Sequence, residues 1–185
     1  FARVNTAMTR GKAAVRVGVI HPIESYWLHW GPESQTGSIR EQMEERFQNV
    51  TRWLLFGSCD FDFLDESLLP DLCTEAGNPL KVGAMSYDAV IIPGCETLRS
   101  TTIERLKTFA RAGGKLILMG EAPTMTDAVP GNDGAELAAL SSQIVFEKAA
   151  LLEAVEPYRT LRLENETGGL TNHYIYQLRM DQDCS

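Results

Sequence analysis

Residues 87–123 constrain the fold more than any other stretch of the chain. They read YDAVIIPGCETLRSTTIERLKTFARAGGKLILMGEAP. Residues 89–92 are apolar and rich in β-branched side chains, and Pro93-Gly94 stops them. That is the pattern of a strand buried on both faces. Ser100, Thr101 or Thr102 can cap a helix. Ile103, Leu106 and Ala110 then recur at helical spacing, while Glu104, Arg105 and Lys107 fall off that face. Gly113-Gly114 ends the helix where a left-handed residue is needed. Residues 116–119 are a second buried strand, closed by Gly120. Strand, helix and strand within about 35 residues make a βαβ unit with a right-handed crossover. Ligands of such units gather where the strands end.

The rest of the chain extends this unit. Residues 15–20 (VRVGVI) read as the first strand, broken by His21-Pro22. HPIESYWLHWGPESQTG follows, with two Trp, two His, a Tyr and two Glu. Read as a loop of about 17 residues, it far exceeds the usual 2–6 of a βα connection. Ser38 with Glu41 forms a capping-box pattern. Ile39, Met43, Phe47, Val50 and Leu54 then trace one face of a helix that Gly57 ends. Phe61, Phe63 and Leu64 mark a second strand. Residues 80–84 (LKVGA) read as a short edge strand or hairpin arm, 135–140 as a short helix and 143–147 as a strand. Residues 148–158 read as a helix with Leu151, Leu152 and Val155 inward. Residues 1–14 are polar and small without a period and read as a lead-in linker. Residues 165–172 are a polar linker, and 173–179 (HYIYQLR) alternate like a strand.

Strands near 15, 60, 88, 115 and 143, separated by helical patterns, predict an α/β fold. The expected architecture is three-layer, with a mostly parallel open sheet in the flavodoxin-like order 2-1-3-4-5. Its switch point brings together the ends of the first strand and of the 89–92 strand. His21, Glu24, Ser25, Gly94, Cys95, Glu96, Gly120 and Glu121 are expected there.

The net charge of −8 argues against a nucleic-acid or anionic-membrane partner, since phosphate binding needs clustered Lys and Arg. No apolar run approaches the ~20 residues that span a bilayer. The four cysteines, Cys59, Cys73, Cys95 and Cys184, are scattered without a CxxC pair, so neither a disulfide framework nor a metal site is expected. No cofactor motif appears: no G-x-G-x-x-G follows a strand, and 93–96 lack the glycines and Lys of a phosphate loop. Asn49-Val-Thr51 and Asn165-Glu-Thr167 match the glycosylation sequon, a triplet common by chance. The chain opens on Phe1 with no visible signal peptide, so its start is expected to have been trimmed and its compartment is not readable from that end.

Three constellations carry possible chemistry. Cys95 follows a strand and Pro-Gly, so it can serve as a nucleophile, with His21 and Glu24 as base and orienting group. Against this, the pattern is not G-x-C-x-G, and a small apolar Cys at a strand end is ordinarily packing. Glu24, Glu96 and Glu121 can place carboxylates in one crevice, the apparatus of glycoside hydrolysis; such acids also serve as caps. Tyr26, Trp27, His29 and Trp30 either plug the sheet end and contact another domain, or stack on a ligand such as a sugar. At least one of Trp27, His29 and Trp30 is expected to be exposed.

With the fold placed, VGVIHPIESYWL, FDFLDESLL, the Tyr87-Asp88 entry into AVIIPG and the LKTFARAGGKLILMGEAP close resemble the class I glutamine amidotransferase-like domain. The closer resemblance is to the version embedded in large bacterial glycoside hydrolases. These include the trimerisation domain of family 42 β-galactosidases and the similar domain of rhamnosidase-like hydrolases. In active amidotransferases the nucleophile follows the strand that here ends at Met119. This chain has Gly120-Glu121-Ala122 there. The resemblance therefore implies a degenerate, non-catalytic accessory domain at 15–164. It would pack on other domains of the same chain, form a homo-oligomer, or contribute Glu24, Ser25, Trp27, His29, Trp30, Glu96 and Glu121 to an interface or a carbohydrate cleft. It also implies that 165–185 hold a linker and the first strand of a following β-sandwich. The rival readings are a free-standing hydrolase or amidase using Cys95 with His21 or Glu24, and a small-molecule-binding domain using the same crevice.

Overall fold

The computed structural model describes residues 1–181; Cys184 lies outside the described residues. In chain order the elements begin with α1 (Ala2–Thr9), β1 (Lys12–Ala13), β2 (Val17–Ile20), α2 (Ile23–Leu28), α3 (Glu33–Phe56) and β3 (Phe61–Leu64). There follow α4 (Leu69–Leu72), β4 (Leu80–Val82), β5 (Met85–Tyr87), β6 (Ala89–Pro93), β7 (Thr97–Leu98), α5 (Ser100–Arg111) and β8 (Lys115–Met119). The chain continues with β9 (Met125–Thr126), β10 (Val129–Pro130), α6 (Asp133–Ala139), β11 (Ser142–Ile144), α7 (Lys148–Val155), a 3₁₀ turn (Glu156–Tyr158) and β12 (Arg179–Met180).

The central sheet has the order β11-β8-β6-β2-β3, with every pairing parallel. In sequence order of these five strands this is 2-1-3-4-5, the flavodoxin-like arrangement. The three inner strands are buried throughout or nearly so, because helices cover both faces. Alternation along each strand divides the core. Val17, Val19, Ala89, Ile91, Ile117 and Met119 face α3 and α7, packing on Val50, Leu54, Leu151 and Val155. Ile20, Val90, Ile92, Leu116 and Leu118 face the other way, onto Ile103, Leu106, Phe109 and Leu137. One strand thus serves two cores through the two-residue period.

Several local expectations need correction. The segment 21–37 is not one long loop: it holds α2, and α3 begins at Glu33, behind Pro32 as N-cap. Ser38 lies inside α3 and caps nothing. Gly37 reads as a break in the sequence, but it is buried within the helix despite a cost of about 1 kcal/mol for glycine at an interior position. Helix α5 takes its caps from afar. The Arg99 N–H donates to Glu66 Oε2 at 2.8 Å, and the Ser100 N–H donates to Asp127 Oδ1 at 3.1 Å. The strand expected at 143–147 is only β11, and its neighbour Val145 is exposed.

Residues 1–14 hold α1 and β1 rather than an irregular linker. β1 pairs antiparallel with β12, so the alternating segment near 173–179 finds its partner at the other end of the chain, and only from Arg179 onward. Residues 80–87 form the β4–β5 hairpin. The sequence shows no sign of a second small sheet, β10-β9-β7, beside the crevice. Its strands are two residues each, too short for a periodic signal.

Candidate functional site

The C-terminal ends of β2 and β6 meet at the switch point, and α2 lies across them. Helix α2 is fixed from behind by Ser25, which is fully buried. Its hydroxyl accepts the N–H groups of Glu96 (3.0 Å) and Thr97 (3.1 Å) and donates to the Thr97 carbonyl (3.2 Å). One serine therefore satisfies three backbone groups of the turn after β6. His29, at the end of α2, adds a second tie: its Nε2 donates to Glu96, 2.9 and 3.0 Å from the two carboxylate oxygens. A third tie is the ion pair of Glu24 with the Arg99 guanidinium. The expected residues His21, Glu24, Ser25, Cys95 and Glu96 are thus brought to one place. Glu121 is an exposed group beyond the end of β8, without a hydrogen bond or ion pair among the described residues.

The acids do not form a bare catalytic pair. Glu24 is held by Arg99 and Glu96 by His29, so each has a basic partner of its own. Cys95 is 5% exposed and makes no hydrogen bond to His21 or Glu24. Burial pushes its thiol far up, and the neighbouring Glu66 and Glu96 carboxylates add to the rise. A thiol so placed is a poor source of thiolate. Among the described residues, no group of three or more His, Cys, Asp or Glu is placed to hold a metal ion. Nor is any helix there long and apolar enough to cross a membrane.

The outer side of α2 and of the turn that follows it has a different character. Trp27 is 57% exposed and Trp30 is 70% exposed. The Arg40 guanidinium lies over the Trp30 ring at 5.0 Å, and the Tyr26 ring is tilted against it at 6.3 Å. His29, between the two indoles in sequence, is turned inward to Glu96. Next to Trp27 a shallow hollow is bounded by Glu24, Thr97, Arg99 and the β9–β10 turn at Asp127 and Ala128. Both turn residues have positive φ, 51° and 62°. The turn is held by the Asp127 cap on Ser100 and by the Ala128 N–H, which donates to Thr97 Oγ1 at 3.0 Å.

Sequence reasoning missed Glu66, Arg99, Asp127 and Arg46. Glu66 and Asp127 act on residues about 30 positions away, which no local pattern reveals. Arg46 flanks the apolar stripe of Met43 and Phe47, and a cation at that position was the one available signal. Fold and crevice together define the class: a doubly wound α/β domain with its candidate site at the topological switch point. The chain matches no model of a known protein family and no curated protein.

Proposed function

We propose that this chain is a non-catalytic accessory domain of a larger carbohydrate-active hydrolase, and that it docks on the catalytic domain through the Trp27–Trp30 shelf. The observation that carries this reading is two exposed indoles, Trp27 on α2 and Trp30 just past its C-cap, above a helix end pinned by Ser25, Glu24 and His29. A rigid support under exposed aromatic surface suits a contact that gains area without ordering cost. The turn after β8 supports the absence of catalysis. Gly120 has a φ of 77°, a left-handed geometry, yet carries no side chain to act as nucleophile. Cys95 is enclosed one strand earlier.

The test is the Trp27→Ala/Trp30→Ala double variant. In the 185-residue chain it should leave the melting temperature nearly unchanged, because the rings bury little within it. In the full-length protein it should lower turnover or break assembly. A double variant that unfolds the chain, or a full-length protein with turnover and assembly intact, overturns the reading.

A further inference from the structure

Between α2 and α3 lies a separate cleft of about 270 Å³. Its floor is the ends of β2 and β6, at His21-Pro22 and Pro93-Gly94; its walls are Ile23 and Tyr26 of α2 and Met43, Arg46 and Phe47 of α3. The lining is mainly apolar. Phe47 and His21 pack ring to ring at 5.1 Å, and Phe63 backs both.

Its polar groups are few and unequal. The Glu44 carboxylate at the rim is engaged by the Gln48 amide at 3.1 Å. Glu24 and Glu96 nearby are held by Arg99 and His29. Arg46 has no carboxylate partner among the described residues. Its guanidinium lies over the Phe146 ring at 5.0 Å, with Nη1 close beside Gly94. Arg46 is thus the cation of the cleft free to meet an anion, while Glu44, which among the described residues has only the neutral Gln48 amide as partner, stays at the rim. The backbone donors of the adjoining turn are already used: Gly94 N–H by the Ile92 carbonyl, and those of Glu96 and Thr97 by Ser25. A phosphate, which needs several converging donors, is poorly served. One guanidinium with a flat, two-pronged donor edge suits one carboxylate.

We propose that this cleft binds a small organic monocarboxylate with an aromatic or branched apolar body. The body lies between His21, Tyr26, Met43 and Phe47, and the carboxylate meets Arg46 beside Gly94. This inference uses neither Trp27 nor Trp30, although Tyr26 touches both the cleft and the Trp30 ring, and it does not rest on the docking role.

The test is a titration of the 185-residue chain by two-dimensional NMR with 3-phenylpropionate, its neutral amide, acetate and inorganic phosphate. We expect saturable shifts at Gly94, Ile23 and Phe47 amides with 3-phenylpropionate, and at least tenfold weaker binding of the amide. Acetate and phosphate should not saturate there. Arg46→Gln, a surface change on α3, should remove the preference of acid over amide. Met43→Trp should fill the cleft and abolish binding of both while Arg46 remains. Absence of binding by the phenyl acid, equal binding of acid and amide, phosphate binding as the tightest, or an Arg46→Gln variant that keeps the preference would each overturn the proposal.

Discussion

Glu66 is 1% exposed where the chain leaves β3, with one oxygen on the Arg99 N–H and the other facing Thr102. Burial raises its carboxyl from 4.5 to about 7; the Arg99 amide, Thr102 and the Arg99 charge pull it down, and Glu24 pushes it further up. An acid raised in the folded state binds its proton more tightly there than in the unfolded chain. Its contribution to stability is full below about 4.5 and is lost as the pH rises to about 7. Glu66→Gln keeps an acceptor for Arg99 and removes the buried charge. We expect a gain on the order of 3 kcal/mol at about pH 8 that vanishes near the unfolded-state value. Urea midpoints across that range will show it, and a variant with the same pH slope as the parent rules it out. Cys95 gives the second prediction at this scale. Its enclosed, raised thiol should resist a thiol reagent near neutral pH and react only when denaturant opens the core. Rapid labelling of the Cys95 peptide in the folded chain, read by mass spectrometry, would restore the nucleophile reading.

At the scale of elements, the notable arrangement is a six-residue helix that is held without a length of its own to stabilise it. Helix α2 stays in place through side-chain ties to the turn after β6, above all Ser25. Ser25→Ala leaves the buried Thr97 N–H and the half-buried Glu96 N–H without this acceptor, a loss of about 2–3 kcal/mol. The same change should loosen the shelf, so the emission of Trp27 and Trp30 should shift as in a more mobile, wetter site. A denaturant midpoint within a few tenths of a kcal/mol of the parent would mean that the helix is held by other contacts. Helix α5 shows the related point that caps need not be local. Its N-terminus is served by carboxylates from the β3 exit and the β9–β10 turn, although Ser100, Thr101 and Thr102 all lie within its first turn. Lys107 joins the same helix to α6 through Asp133 at 3.2 Å and Glu136 at 2.7 Å.

For the whole molecule, stability is graded from the centre of the sheet outward. The strands β2, β6 and β8 carry side chains into both cores, whereas α1 buries nothing. Amide hydrogen exchange should therefore be slowest in these three strands and governed by global unfolding. Residues 1–14 and 160–181 should exchange early, by local opening of the β1–β12 pair; uniform protection along the chain would contradict this gradient. The sequence by itself determined the layered α/β architecture. Residues 89–92 and 116–119 are continuous apolar runs and 17–20 is nearly so, the helices between the strands carry 3.6-residue stripes, and Pro and Gly mark the ends. These signals are local and survive in one dimension. It also placed His21, Glu24, Ser25, Cys95 and Glu96 at one crevice, because strand order follows from connectivity. Only the tertiary structure decided what those residues do there. It turned Ser25 and His29 inward and Trp27 and Trp30 outward, matched Glu24 to Arg99, enclosed Cys95 and left Arg46 unmatched. Each of those outcomes depends on partners brought together from distant parts of the chain by packing, and no pattern of spacing records such a pairing before the chain has folded.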